Sequence, residues 1–321
     1  MLKRVLSGIQ PSGTIHLGNY FGAIKQFLEL QESSECYIFI ANYHALTTIK
    51  DGNLLRQNTF DVALNYLASG LDPDKVSIFR QSDVPEVCEL SWILSTLTPM
   101  GLLERCHSFK DKTARGIAAD HGLFAYPVLM AADILIYGSD IVPVGKDQIQ
   151  HVEVARDIAI KFNNQYGEVF KVPELKVNQS TATVPGVDGQ KMSKSYDNFI
   201  SQFWDEKQLK KKISQIVTDS TPLEDPKNPD TCSVFALYSL MATPEQRNSL
   251  REKYLAGNFG YGHAKKELLD MILSYFDKSR SRYEKLKNNP EFVESILAQG
   301  ALRARESAQK IMDRVRNVVG L

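Results

Sequence analysis

The fold is decided by residues 5–20, VLSGIQPSGTIHLGNY, close to the N-terminus. The apolar start of this stretch runs into turn residues, which is typical of a β-strand and its end. After Gly18, apolar residues recur at steps of three and four positions, which predicts a helix; they are Tyr20, Phe21, Ile24, Phe27, Leu28 and Leu30. A strand, a glycine-containing turn and a helix form the first βα unit of a sheet.

The same alternation continues along the first 200 residues. Residues 36–42 and 76–80 are apolar runs between polar turns, as in buried strands, and residues 54–67 between them have helical periodicity. This order predicts an α/β fold with a Rossmann-like parallel sheet, whose ligands bind at the carboxyl ends of the strands. Residues 10–12 and 145–148 both follow predicted strands, so we expect both at that edge.

After residue 200 the strand pattern disappears. Two apolar helical stripes replace it, and both predict the core of a helical bundle. We therefore predict two domains, a Rossmann-like domain over residues 1–200 and a helical bundle over residues 201–321. The stripes are Leu268, Leu269, Ile272, Leu273 and Phe276, and Leu297, Ala301, Ala304, Ala308, Ile311, Met312, Val315 and Val319.

Composition excludes several classes of protein. The chain has 321 residues, 43% hydrophobic and 24% charged, and no apolar run reaches the ~18 residues of a membrane span. Ser7-Gly8 interrupts the first apolar run too early for a signal peptide, so we expect a cytoplasmic protein. The four cysteines lack metal-ligand spacing, and we expect free thiols and no bound metal centre; they are Cys36, Cys88, Cys106 and Cys232.

Two polar segments indicate phosphate chemistry. In the first, a helix that starts near Gly18 would present backbone N–H groups to an anion, and His16 and Asn19 add side-chain donors. In the second, Lys191-Met192-Ser193-Lys194-Ser195 carries two ammonium groups that can neutralise charge on a triphosphate. Each segment alone has a plainer interpretation, an ordinary βα turn or a solvated lysine loop. Together they predict an ATP site that activates a carboxylate.

These segments carry a resemblance to a known family. His16-Leu17-Gly18-Asn19 resembles the HIGH element of class I aminoacyl-tRNA synthetases, with Asn19 in place of the last His, and residues 191–195 are identical to their KMSKS element. Within that class the chain resembles bacterial tryptophanyl-tRNA synthetases over nearly its whole length. Residues 7–13, 126–135 and 142–148 also match.

The resemblance implies a two-step reaction. Tryptophan is activated by ATP to tryptophanyl-adenylate with release of pyrophosphate, and is then transferred to the 3′ end of tRNA(Trp). It also implies that residues 1–200 are catalytic, that residues 201–321 bind the anticodon, and that the protein is a homodimer. Mg²⁺, bound mainly by the phosphates, is the expected ion.

Site residues are implied in the same way. Gln10, Asn19, Lys191 and Lys194 are the expected catalytic residues, and Lys112 is expected to assist them. Tryptophan is expected to contact His44, Tyr126, Met130, Asp133 and Gln148. The expected ATP site comprises Gln10, Pro11, Ser12, Gly18, Asn19, Gly145, Lys146, Asp147, Val184, Lys191, Met192, Ser193, Lys194 and Ser195.

The assignment of tryptophan as the substrate amino acid depends on Asp133. It lies in an apolar stretch, residues 128–137, where a carboxylate needs a partner. The indole N–H of tryptophan would be one partner, and a buried arginine or backbone amides are the alternative. Three positions depart from the usual family pattern and leave pocket packing and ribose contact open: Leu6, the pair Asn42-Tyr43, and Lys146.

Charge and rival functions complete the prediction. Residues 201–321 hold 20 Lys and Arg against 16 Asp and Glu, in a chain of zero net charge, so the excess lies on the half expected to meet RNA. Tyrosyl-tRNA synthetase is the rival within the class. A non-catalytic paralogue would have eroded phosphate motifs, and a nucleotidyltransferase would lack the Asp133 segment and the helical half.

Overall fold

The sheet of this computed structural model is parallel throughout, as predicted. The structure describes residues 2–106, 109, 120–145, 148–177 and 184–321. Within them, five strands pair in the order β3-β2-β1-β4-β5. They are β1 (Arg4–Ile9), β2 (Glu35–Ile40), β3 (Val76–Arg80), β4 (Ile141–Val144) and β5 (Glu174–Val177).

Helices connect and cover these strands. The first, α1, comprises Leu17–Asn19, a π-helical turn over Tyr20–Ile24, and Lys25–Leu30. The others are α2 (Asn42–Ala45), α3 (Gly52–Ser69), α4 (Glu86–Ser95), α5 (Met100–Glu104), α6 (His121–Ile136), α7 (Ile149–Tyr166), α8 (Glu206–Ser214), α9 (Ser233–Ser239), α10 (Pro244–Ala256), α11 (Tyr261–Tyr275), α12 (Asp277–Lys287) and α13 (Pro290–Val319). Short 3₁₀ turns lie at Gln81–Asp83, Lys194–Tyr196 and Pro229–Thr231.

Both faces of the sheet are buried. Successive side chains of a strand point to opposite faces, and the neighbours Val5 and Leu6 accordingly belong to two different hydrophobic clusters. The cluster around Val5 includes α1 and α3, and the cluster around Leu6 includes α4, α6 and α7. Helices on both sides of a parallel sheet confirm the predicted α/β fold.

Two details of the sequence prediction are corrected. The second predicted strand, residues 36–42, ends at Ile40, because Asn42 already begins the short helix α2. The stripe on α13 is not the core of a helical bundle. Ala301, Ala304 and Met312 pack in the same cluster as β1, β2 and β3, so this helix covers the sheet.

The contact between α13 and β3 is close because of Gly300. A Cβ built on Gly300 would lie 1.9 Å from the carbonyl oxygen of Ile78 in β3. One turn away, Arg303 donates from its guanidinium to the carbonyl of Val76, at 3.1 Å. Because β3 is an edge strand, α13 satisfies and shields backbone groups that would otherwise be open to another chain. The division into domains at residue 200 stays a prediction.

The membrane and cysteine predictions can be compared with the described part of the chain. There, no helix is both long and apolar enough to cross a membrane. The four cysteines are free thiols; Cys88 is exposed, and Cys36, Cys106 and Cys232 are buried.

Gly300 gives a test of this packing. Gly300→Ala should lower the free energy of unfolding by about 3 kcal/mol, since the new methyl group meets backbone that cannot rotate away. Gly262→Ala is the matched control, because Gly262 lies in α11 and a Cβ added there would have no neighbouring atom within 4 Å. The control should gain up to about 1 kcal/mol from helix propensity. Urea unfolding of both variants measures the difference, and equal stabilities would contradict close packing of α13 on β3.

Candidate active site

One cavity of about 590 Å³ opens where β1 and β4 meet, at the carboxyl ends of the strands. From this point the strands follow in chain order in both directions, β1-β2-β3 on one side and β4-β5 on the other. Parallel sheets bind ligands at such a switch point. Four predicted ATP residues line the cavity: Gln10, Ser12, Asn19 and Gly145. All five predicted tryptophan residues line it as well: His44, Tyr126, Met130, Asp133 and Gln148.

Asp133 lies in α6 and is 2% exposed. The amide nitrogen of Gln81 donates to both of its carboxylate oxygens, at 2.8 and 2.9 Å, and His44 Nε2 lies 2.8 Å from Oδ2. Burial raises the pKa of the Asp133 carboxyl, and the hydrogen bonds from His44 and Gln81 oppose that rise. Among the residues that the structure describes, Asp133 is therefore paired with two polar side chains and with no arginine or backbone amide.

The departure at Asn42 has a structural reason, whereas Tyr43 contributes through its backbone. The Asn42 amide donates to Ser82 Oγ at 2.8 Å and accepts from the Ser82 N–H at 3.0 Å. The Tyr43 N–H donates to the side-chain oxygen of Gln81, at 3.0 Å. These bonds join the turns that follow β2 and β3, which carry the two partners of Asp133, His44 and Gln81.

A second set of hydrogen-bonded polar side chains lines the cavity next to His44, whose ring lies 6.3 Å from that of Tyr126. The Tyr126 hydroxyl lies 2.6 Å from His151 Nε2, and His151 Nδ1 lies 3.0 Å from Gln148 Oε1. His151 is 4% exposed, so one buried ring fixes two residues that we expected to hold the amino and carboxylate groups of an amino acid.

Leu6, where the sequence departs from the usual family pattern, is a buried apolar side chain in the lining of the same cavity.

The lysine loop reaches the first βα turn. Lys194 Nζ donates to the carbonyl of Gly13 at 3.0 Å and to Ser12 Oγ at 3.2 Å. Two segments about 180 residues apart in the sequence therefore meet, as an ATP site made of both requires. Asn19 contributes from the helix side: its Oδ1 accepts from the His16 N–H, so the group that it can offer to a phosphate is its NH₂.

A buried asparagine holds the loop in shape. Asn198 accepts from the Ser193 N–H at 2.7 Å and donates to Asp188 Oδ1 and to the carbonyl of Lys191, at 2.8 and 3.1 Å. Gly186 makes room for it, because a Cβ there would lie 2.4 Å from the Asn198 amide. The hydrogen bonds of one side chain thus join the two ends of this loop.

The remaining predicted residues lie around the cavity or outside the described chain. Pro11 and Met192 are buried, and a Cβ on Gly18 would meet the His16 ring at 2.9 Å. The Val184 carbonyl accepts from the Met192 N–H at 2.9 Å. Lys191 and Ser195 are exposed, and Ser193 is half-buried. Lys112, Lys146 and Asp147 lie outside the residues that the structure describes.

The two basic groups of the site, Lys194 and His16, differ in their charge at neutral pH. Burial lowers the pKa of the Lys194 ammonium to about 8. Burial and then the charge of Lys194 lower the pKa of the His16 ring to about 4, so His16 is neutral near pH 7. Lys194 thus keeps its charge at neutral pH but holds it in a poorly solvated place, where a phosphate would be a favourable partner.

Comparison with known proteins agrees with this geometry. Residues 3–277 match the family of tRNA synthetases class I (W and Y). The chain belongs to this family. It is 56% identical, over 321 residues and 98% of the relative's length, to the tryptophan–tRNA ligase of Fusobacterium nucleatum. A tryptophanyl-tRNA synthetase from Campylobacter jejuni, solved with ADP and tryptophan, is 54% identical, with a TM-score of 0.95 over 99% of this chain and 100% of that one.

Three residues of this class I synthetase site were not predicted from the sequence: Gln81, His151 and Asn198. Gln81 follows β3 at the same edge as Gln10 and Gly145, so the strand-end argument could have included it. His151 lies three residues after Gln148 in the first turn of α7, on the same face. Asn198 had no comparable signal, because its partners lie within the loop itself and two of them are backbone groups.

The pKa of Lys194 gives a test of its role in this synthetase. ATP affinity should fall as the pH rises through about 8, because Lys194 then loses its proton; a contact of this kind is worth about tenfold or more in affinity. In Lys194→Arg the fall should move to higher pH, because the guanidinium stays protonated. Lys191→Arg, in the same loop, is the control. Calorimetric titration of ATP across the alkaline range measures this, and a pH-independent affinity in the parent protein would rule out the role.

Proposed function

We propose that this class I synthetase is a tryptophan–tRNA ligase. It activates L-tryptophan with ATP to tryptophanyl-adenylate and pyrophosphate, and it transfers tryptophan to the 3′ end of tRNA(Trp). The observation that carries the proposal is one cavity that is lined by a buried carboxylate, Asp133, and by Ser12 of the first βα turn, which Lys194 contacts. The names of the similar proteins point to the same amino acid.

The ATP end of the cavity would work by charge and position. Attack of a carboxylate on the α-phosphorus needs no nucleophile from the protein, only alignment and stabilisation of charge on the phosphates. Gln10, Ser12, Asn19 and Gly145 would surround the nucleotide, and Lys194 would neutralise charge on the leaving pyrophosphate. Mg²⁺ would be held mainly by phosphate oxygens. Among the described residues, no group of three or more His, Cys, Asp and Glu side chains could hold a metal ion.

The amino acid end of the cavity would contact the side chain of the substrate and its α-amino and α-carboxylate groups. Asp133 would accept from the indole N–H, and Met130 would pack on the ring. Tyr126 and Gln148, oriented by His151, would contact the amino and carboxylate groups. An aspartate also accepts from a phenol, so tyrosine is the competing substrate that an experiment has to exclude.

Residues 201–321 would place the tRNA, and α8 offers the best surface for it. Lys207, Lys210 and Lys211 are exposed on this helix. The next residue, Lys212, donates to the carbonyl of Asp197 at 2.6 Å, which fixes α8 beside the lysine loop. Basic residues of α13 are less suitable, since Arg316 forms a bidentate pair with Glu89 of α4.

Assembly and compartment are part of the same proposal. Trp92 on α4 is 72% exposed and Met100 on α5 is 63% exposed. Large apolar side chains exposed on consecutive helices would suit a homodimer interface. The cytoplasm, expected from the sequence, stays a prediction.

Amino-acid-dependent ATP–pyrophosphate exchange tests the activation step. Among the twenty amino acids, tryptophan should be the strong substrate. Asp133→Ala should reduce the preference for tryptophan over phenylalanine by about ten- to a hundredfold and leave ATP affinity nearly intact, because one acceptor for a hydrogen bond is lost. Exchange driven by tyrosine would assign the other member of the family, and no exchange at all would refute the ligase.

Charge reversal on α8 tests the transfer step. A variant with Lys207→Glu, Lys210→Glu and Lys211→Glu should keep pyrophosphate exchange, lose aminoacylation efficiency, and depend less on salt, since fewer counterions are released on RNA binding. Lys161→Glu, at an exposed lysine of α7, is the control for a charge reversal on another surface. Equal losses of exchange and aminoacylation would show that α8 does not act on the tRNA.

A further inference from the structure

Gln81 is completely buried at the end of β3, in the first position of the turn Gln81–Asp83. Its amide nitrogen donates to both oxygens of Asp133, at 2.8 and 2.9 Å. Asp133 in turn lines the cavity, and Gln81 does not. Gln81 therefore acts on any ligand only through Asp133.

The orientation of the Gln81 amide is fixed. Its side-chain oxygen accepts from the Tyr43 N–H at 3.0 Å, so a rotation that exchanged oxygen and nitrogen would break that bond and turn an acceptor toward a carboxylate. The bonds between Asn42 and Ser82 hold the same two turns together. Gln81 thus offers Asp133 only donor atoms.

A neighbour that only donates has a definite effect on a carboxylate. It stabilises the ionised form, which accepts, and cannot receive a proton from the acid form. One Gln81 nitrogen contacts both oxygens of Asp133, and His44 contacts Oδ2 alone, so Oδ1 keeps acceptor capacity for a ligand donor. The site would then bind a side chain that has one N–H donor more tightly than a side chain of the same shape without it.

We propose that Gln81 is a positioning residue that determines side-chain specificity by holding Asp133 as an oriented acceptor. This inference rests on the proposed function. It predicts discrimination between tryptophan and an analogue of the same shape without the N–H, 3-(1-benzothiophen-3-yl)alanine. The ratio of kcat/KM for these two substrates in pyrophosphate exchange is the quantity to measure.

Gln81→Met keeps the length of the side chain and removes the donor. We expect the preference for tryptophan to fall by about tenfold or more, as for a lost hydrogen bond to a charged group. The fall should arise mainly in KM for tryptophan, and use of the benzothiophene analogue should persist. Gln81→Leu, of similar volume, is the second variant.

Asn42→Ala is the matched control. It breaks the neighbouring bonds between the two turns but leaves the contact between Gln81 and Asp133. If Gln81 serves only to join the turns, Asn42→Ala should lower the substrate ratio as much as Gln81→Met does, and the proposal is overturned. If only the Gln81 variants lower it, the donor to Asp133 is responsible.

Other outcomes are equally decisive. An unchanged ratio in both Gln81 variants, or loss of exchange with both substrates in both variants, overturns the proposal and leaves Gln81 a structural residue. Failure of the parent protein to exchange with tryptophan would instead refute the proposed function. The parent protein thus separates the two inferences.

Discussion

A carboxylate buried in an apolar helix has to be paired, and the part of the cavity around Asp133 is arranged to satisfy that constraint. An unpaired ion at the position of Asp133 would cost several kcal/mol. Its partners come from two turns, with His44 after β2 and Gln81 after β3. Parallel register brings those turns together, since Ile40 lies opposite Arg80 at the ends of the two strands. The register of the sheet therefore sets the geometry around the carboxylate.

The other end of the cavity depends on a cation in a similar position. Lys194 is held by an uncharged hydroxyl and a backbone carbonyl, at Ser12 and Gly13, rather than by an acid. These two neutral contacts do not compensate the cost of burying the ammonium. A phosphate can supply the negative charge that would. The site thus has an acid satisfied by donors at one end and a base held by neutral groups at the other. This polarity suits a substrate whose donor side chain and anionic phosphates lie at opposite ends.

Much of this arrangement could be predicted from the sequence, and the failures have physical causes. The strand ends at Ile9 and Val144 placed Gln10 and Gly145 at one edge, because strand direction in a parallel sheet is fixed by the βα order. The need of Asp133 for a partner was also visible. Its identity was not, because Gln81 lies 52 residues away and approaches only through the register of β2 and β3. The apolar stripe of α13 shows which face is buried but not which surface buries it.

The cover of β3 by α13 also has a consequence for biosynthesis. A ribosome makes β3, which ends at Arg80, long before α13, which begins at Pro290. Until Gly300 can dock on Ile78, the nascent polypeptide carries an uncovered strand with hydrogen-bonding groups that another chain could recruit. Translation therefore has to reach the 30 residues of α13 before this edge is protected, and premature termination would release a sheet that is prone to aggregate.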